Sequence, residues 1–152
     1  MLAVVTWDGG AEWRVTAAAP PIEWTSPSFD DSAFTAATMV GTQSLGGQSA
    51  DTFWSDDNSS DVWIRGSLTL DGSPASAVLA ALADDDMELY VNGVRFVNDA
   101  DSSPTTVTRI DVTAALTAGT NSIAAHVHNA GGNHGFAARI EVDTERPDAG
   151  DT

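Results

Sequence analysis

Three histidines near the end of the chain have the types and spacing that suit a metal. His126 and His128 occupy alternate positions of one predicted strand, so their imidazoles point to one side, about 6–7 Å apart by strand rise. His134 follows after a glycine-rich loop. Such a group is compatible with a transition metal, but no carboxylate follows these histidines before Glu141. We therefore favour a structural or surface role, with metal binding as the alternative.

A second group of candidate ligands lies in the segment Ser55–Asp61, which reads SDDNSSD. Carboxylate and amide oxygens in a loop are the ligands that calcium prefers. The segment lacks the twelve-residue pattern, the glycine and the closing glutamate of an EF-hand. A solvated acidic loop is the default interpretation, no cofactor is required, and a structural calcium is the alternative. The calcium ligands would be Asp56, Asp57, Asn58 and Asp61.

Tryptophan offers a different chemistry, because the C–H face of a sugar stacks on an aromatic ring. Among the five tryptophans, Trp54 borders the acidic loop and is the chosen candidate, the alternative being that its ring packs in the core. Loops carry binding residues more often than the elements they connect. We therefore expect Trp54 to lie beside polar groups from three loops. The predicted carbohydrate-binding residues are Trp54, Asn98, Asp99, Asn129, Asn133 and His134.

Signatures of catalysis are missing from the sequence. The chain has no cysteine, which excludes thiol catalysis, disulfides and cysteine–zinc sites. It has no nucleophile elbow, no phosphate-binding loop and no HExxH motif. We expect a protein that is not an enzyme.

The charge of the chain restricts its partners. The 152 residues include 22 acidic and six basic side chains, which gives a formal net charge of −16. Such a field repels phosphate, so we expect neither nucleic acid nor an anionic membrane as a partner. All six bases are arginines, which fits either a halophilic protein or a GC-rich genome. Self-repulsion weakens as salt screens it, so we expect the melting temperature to rise with monovalent salt.

Hydrophobic periodicity places the candidates on short strands. Val62–Leu70 alternates apolar and polar residues, which is typical of a half-buried strand. Asn92-Gly93 between two apolar runs predicts a two-residue hairpin. Ala75–Asp85 has the composition of a helix, but it is short and flanked by strands, so we interpret it as a strand. Further strands are predicted at Ala3–Val5, Arg14–Ala18, Glu88–Val91, Val94–Val97, Thr108–Asp111, Ser122–Asn129 and Phe136–Val142, and helical turns at Ser28–Thr35 and Val112–Leu116.

Many short strands with little helix indicate an all-β protein. We predict one antiparallel β-sandwich of about eight strands over residues 1–143, followed by an acidic flexible tail over 144–152. The apolar runs are too short to insert into a membrane, and the apolar residues 1–6 are too few for the core of a signal peptide.

Several motifs in a fixed order resemble those of galactose-binding-like jelly-roll domains. They are Phe29–Phe34 (FDDSAF), Trp63–Leu68 (WIRGSL), Ala83–Gly93 (ADDDMELYVNG), Asp111–Leu116 (DVTAAL), Gly119–Ala124 (GTNSIA) and Gly135–Ile140 (GFAARI). The resemblance implies a jelly-roll β-sandwich. Domains of this family accompany glycoside hydrolases and occur in cell-surface proteins and in viral tail and capsid proteins. They are mostly non-catalytic and many bind sugar, so the fold alone does not give the function.

Two functions fit these features. If Met1 is native, the chain has no export signal, and on that basis we favour a module on a virion surface, as a capsid decoration, turret or tail component with adhesion to host glycans. Its partners would then be other virion proteins or copies of itself, for example in a trimer. The alternative is a carbohydrate-binding accessory module of a larger secreted glycoside hydrolase or cell-surface protein. The expected location is the virion surface or the extracellular space.

Overall fold

A computed structural model describes residues 4–7, 13–45, 48–55, 59–84, 86–99, 107–129 and 135–143. These residues form twelve strands and two short 3-10 turns, at Ile22–Thr25 and Thr113–Ala115. The strands are β1 (Val4–Trp7), β2 (Arg14–Thr16), β3 (Thr35–Ala36), β4 (Thr38–Leu45), β5 (Gln48–Trp54), β6 (Asp61–Leu70), β7 (Ser76–Asp84), β8 (Asp86–Val91), β9 (Val94–Asp99), β10 (Thr108–Asp111), β11 (Gly119–His128) and β12 (Gly135–Asp143).

The strands form two antiparallel sheets that pack as a sandwich, which confirms the predicted fold class. The first sheet has the order β10-β7-β12-β5-β4, with β1 also paired to β12. The second sheet has the order β3-β2-β6-β11-β8-β9. The long central pair of the second sheet, β6 and β11, runs in register from Asp61 opposite His128 to Leu70 opposite Gly119. This pair sets which side chains share a face of that sheet.

The core lies between the inner faces of the two sheets. Alternate residues of β6 point into it, and Val62 and Ile64 are fully buried. The ring of Trp13 packs edge to face on Phe136 at a centroid distance of 5.3 Å, which joins the two sheets. Burial of such aliphatic and aromatic side chains stabilises the fold by about 1.5–3 kcal/mol each.

The helix-like composition of β7 has a structural reason. Ala77 and Leu79 face the main core, whereas Ala80 and Leu82 belong to a second apolar cluster with Leu45 on the other side of the sheet. A strand that is buried on both faces reads as a continuous apolar run without alternation. The prediction of a strand here is confirmed.

The turns agree only in part with the sequence. Asn92 and Gly93 have φ values of 49° and 84°, as the predicted two-residue hairpin requires. The helical turn expected at Ser28–Thr35 is present only as one turn, in which the Phe34 N–H donates to the carbonyl of Asp31 at 2.9 Å. Asp30 Oδ1 accepts the backbone N–H of Ser32 at 3.0 Å at the start of this turn. Among the described residues, no helical segment is long and apolar enough to cross a membrane. The predicted tail over 144–152 lies outside the described residues.

Candidate functional site

The outer face of the second sheet carries a tryptophan that remains partly exposed. Side chains of a strand alternate between the two faces of its sheet. Because Val62 and Ile64 point into the core, Trp63 between them points outward. Its cross-strand neighbours are Thr16 on β2 and His126 on β11.

The ring of Trp63 stacks on the imidazole of His126. The two ring centroids are 4.5 Å apart and the ring planes differ by 8°. His126 therefore covers one face of the indole and fixes its orientation. Trp63 remains partly exposed, so its indole offers an apolar surface that is held on a strand.

Carboxylates and a second histidine surround this stacked pair. Asp61 Oδ1 accepts hydrogen bonds from His126 Nε2 at 2.9 Å and from His128 Nδ1 at 3.2 Å. On the other side, Glu88 Oε1 lies 3.6 Å from His126 Nδ1. We call this group, Asp61, Trp63, Glu88, His126 and His128, the Trp63 platform.

Part of this sheet face, at β8 and β11, is covered by the loop that contains the Ile22–Thr25 turn. Trp24 packs edge to face on Tyr90 at 5.9 Å. Ser122 Oγ donates to the backbone carbonyl of Thr25 at 2.9 Å. The loop thus covers the sheet beside the platform.

The predicted histidine pair does share one face, but its described partners are carboxylates. His126 and His128 both bind Asp61, which lies on the neighbouring strand and which the sequence order does not place beside them. Within the described part of the chain, no group of three or more His, Cys, Asp or Glu side chains is arranged to hold a metal ion. His134 lies outside the described residues.

The structure corrects the assignment of Trp54. Its side chain is fully buried in the core, and its indole Nε1–H donates to the backbone carbonyl of Ser59 at 2.8 Å. A buried ring presents no face to a sugar, so Trp54 packs in the core and does not stack on a ligand. Trp54 is the last residue of β5, and it belongs to the main core together with the preceding Phe53.

The other residues predicted to bind sugar or calcium lie either at one end of the second sheet or outside the described residues. Asn98 and Asp99 end β9, and the backbone N–H of Asn129 donates to the carbonyl of Ser60 at 2.8 Å. The register places Asp61 opposite His128. The start of β6 and the ends of β9 and β11 therefore lie at the same end of the second sheet. Outside the described residues lie Asp56, Asp57, Asn58, Asn133 and the side chains of Asn98 and Asp99.

Sequence reasoning missed Trp63 and Glu88 as site residues. The signal was present, because Trp63 is an aromatic residue at a polar-face position of an alternating strand. Glu88 is separated from His126 by 38 positions in the chain, and only the pairing of β8 with β11 brings the two together.

Comparisons with known proteins relate the chain to glycosidases through its fold. No family model matches the chain, and no curated protein matches it. Similar solved structures include a β-glucuronidase from Bacteroides uniformis, with a TM-score of 0.64 and 18% sequence identity over 92% of this chain and 18% of that chain. A glycosyl hydrolase family 2 member from Bacteroides cellulosilyticus DSM 14838 has a TM-score of 0.63 and 15% identity over 90% of this chain and 20% of that chain.

A β-glycosidase from Bacteroides vulgatus gives the same result, with a TM-score of 0.64 and 14% identity over 93% of this chain and 20% of that chain. The chain thus spans about a fifth of the length of the structures it resembles. Similarity at this level of identity concerns the fold. The chain folds as the galactose-binding-like β-sandwich that its motifs resemble, a fold similar to a small part of family 2 glycoside hydrolase chains.

Proposed function

We propose that this chain is a non-catalytic carbohydrate-binding module that accompanies a larger extracellular glycoside hydrolase or cell-surface protein. The observation that carries the proposal is the Trp63 platform. It combines a fixed, partly exposed aromatic ring with carboxylates and imidazoles on one open sheet face. The fold supports the same function, because the similar structures are glycosidases that match only over a small part of their length.

The platform has the two kinds of group that sugar recognition needs. The free surface of the indole offers apolar contact for the C–H face of a pyranose ring. Asp61 Oδ2 has no hydrogen bond to the described residues, and the side chain of His128 is 44% exposed. These groups are available to hydroxyls at the edge of a stacked ring, and such polar contacts fix the orientation of a ligand.

Binding rather than hydrolysis fits the placement of the carboxylates. Asp61 and Glu88 both lie against His126, and the chain carries no recognisable catalytic motif. We propose that both carboxylates fix the position of His126 and contact hydroxyl groups of the sugar.

The virion-surface role remains a prediction without support among the similar structures. The same holds for the structural calcium and for a homo-oligomer such as a trimer. The neighbouring glycosidases favour the accessory-module alternative over the virion role.

Screening on a glycan array, followed by titration of the strongest ligand, tests the proposal. We expect Trp63→Ala to weaken binding about tenfold, which corresponds to about 1.4 kcal/mol. Trp63→Phe should retain part of the affinity because it keeps a ring. Thr69→Ala, at another exposed outward position of β6, is the matched control and should bind as the wild type does. Unchanged binding by a folded Trp63→Ala protein would refute the platform as the site.

A further inference from the structure

A cleft of about 310 Å³ opens on the same sheet face as the platform. Its lining includes Arg14 on β2, Asp31, Ala36 on β3, and Arg65 and Ser67 on β6. This volume is near the lower limit of small-ligand sites. Since Trp63 and Arg65 are two positions apart on one face of β6, their Cα atoms are about 6–7 Å apart.

Two arginines lie side by side in the lining of this cleft. Arg14 and Arg65 are direct cross-strand partners, and like charges at such positions repel. Asp31 Oδ2 accepts a hydrogen bond from Arg65 Nε at 3.1 Å and balances one of the two charges. The lining therefore keeps one excess positive charge, in a chain whose net charge is −16.

The guanidinium of Arg65 is held in a fixed position. It is almost fully buried, and Nη1 donates to the backbone carbonyls of Trp24 and of Ser26, the latter at 3.1 Å. The ring of Phe29 lies 5.3 Å from its central carbon. These contacts leave Nη2 without a hydrogen bond to the described residues. The donor that remains is thus preorganised.

Arg14 supplies the second set of donors. Its Nη1 donates to the backbone carbonyl of Phe34 at 3.1 Å. Its Nε and Nη2 make no hydrogen bond to the described residues. Arg14 is exposed, and its replacement removes one contact to the loop, whereas replacement of Arg65 would remove three.

We propose that this cleft binds the carboxylate of an acidic sugar between Arg14 and Arg65, while a sugar ring contacts the neighbouring platform. Planar guanidinium groups match the two oxygens of a carboxylate. A monoanion also suits the site better than a doubly charged anion. The surrounding acidic surface repels an anion more strongly the larger its negative charge. Ser67 also lines the cleft, and its hydroxyl would form a hydrogen bond with a neighbouring hydroxyl of the sugar. This inference rests on the proposed carbohydrate binding and specifies its ligand class.

Calorimetric titration with methyl glucuronide and methyl galacturonide, each beside its neutral methyl glycoside, tests the inference. The titrations use about 0.15 M salt, where repulsion from distant acids is screened beyond about 8 Å. We expect each acidic sugar to bind at least tenfold more tightly than its neutral counterpart. Arg14→Gln should abolish that preference, whereas Arg109→Gln, which removes an exposed arginine from β10 of the other sheet, should retain it.

Each other result overturns the inference. Equal binding of acidic and neutral sugars excludes a carboxylate site. An equal loss of the preference in Arg109→Gln assigns the effect to the overall charge of the chain. Inorganic sulfate that binds as tightly as the uronides shows an unspecific anion site. If Trp63→Ala weakens glycan binding while Arg14→Gln changes nothing, the proposed function stands and this inference fails. If neither variant changes binding, both fail.

Discussion

The side-chain amide of Asn92 donates a hydrogen bond to Asn121 Oδ1 over 2.8 Å and so ties the β8–β9 hairpin to β11. Asn92 Oδ1 accepts the backbone N–H of Ser122 at 2.8 Å. Asn121, which is fully buried, accepts the backbone N–H of Thr117 at 2.8 Å and donates to its carbonyl at 2.9 Å. The asparagines of two separate sequence motifs thus form one hydrogen-bond network.

Removal of Asn121 should therefore destabilise the fold. Asn121→Ala leaves the Thr117 N–H without its acceptor. It also removes one of the two acceptors of the Asn92 amide, the other being the carbonyl of Ala115 at 2.7 Å. An unsatisfied buried group costs about 1–3 kcal/mol. We expect a loss of that size in the free energy of unfolding, measured by urea titration. Gln43→Ala removes an exposed amide from β4 and should change stability by less than about 0.5 kcal/mol. Similar losses in both variants would contradict a structural role for the network.

The sequence predicts strands best where one face is buried and the other is not. Val62–Leu70 shows this alternation, and the observed β6 differs from the prediction by one residue. The hairpin of β4 and β5 was missed because most residues of β4 are exposed, so the strand has no apolar period. Its position comes from pairing with β5, a long-range contact that no local pattern records. The predicted count of about eight strands is too low largely for this reason.

The site was harder to predict than the fold. The shared face of His126 and His128 follows from strand period alone, and the register agrees. Which acids meet them depends on strand order, because Asp61 and Glu88 come from β6 and β8 on either side of β11. Trp54 was misassigned because chain proximity to polar residues does not report burial. The packing at the end of β5 decides burial, because Phe53 and Trp54 both enter the main core there although they are consecutive residues.

Close contact between strands makes one glycine of the first sheet sensitive to substitution. A Cβ on Gly135 would lie 3.0 Å from Cβ of Thr52, whereas a Cβ on Gly41 would lie 3.5 Å from Thr52 Oγ1. We expect Gly135→Ala to lower the free energy of unfolding by about 1–3 kcal/mol through overpacking. Gly41→Ala introduces the same methyl group against the same neighbour at an ordinary distance and should have little effect. Thermal denaturation of both variants measures the difference. Equal melting temperatures would contradict the close approach of Gly135 to Thr52.

Because Trp54 is buried, we expect its replacement to lower stability strongly and to remove no contact with a ligand. Trp54→Ala creates a cavity in the core and should cost about 3–5 kcal/mol of unfolding free energy. It also removes the hydrogen bond to the Ser59 carbonyl. Urea titration measures the cost, with Trp63→Ala as the comparison, since that ring is partly exposed and should cost less. A loss below about 1 kcal/mol would show that the Trp54 ring is not part of the core.

Acid sensitivity should depend on Asp111. The Thr113 hydroxyl and then the Thr113 backbone N–H bind the charged carboxylate, and together they hold the pKa of Asp111 below its ordinary value of 3.8. Since the folded pKa is the lower one, the unfolded chain binds the proton first as the pH falls. The stabilisation is complete above the unfolded pKa and disappears as the pH drops through the folded pKa.

Asp111→Asn keeps an oxygen that accepts from Thr113 but removes the titration. We therefore expect the melting temperature of this variant to fall less steeply than that of the wild type between about pH 5 and pH 3. Asp71→Asn changes an exposed aspartate in the turn after β6 and should keep the wild-type slope. Melting curves recorded at half-unit pH steps distinguish the two variants. If Asp111→Asn and the wild type lose stability in parallel, the hydrogen bonds to Thr113 do not stabilise the charged form of Asp111.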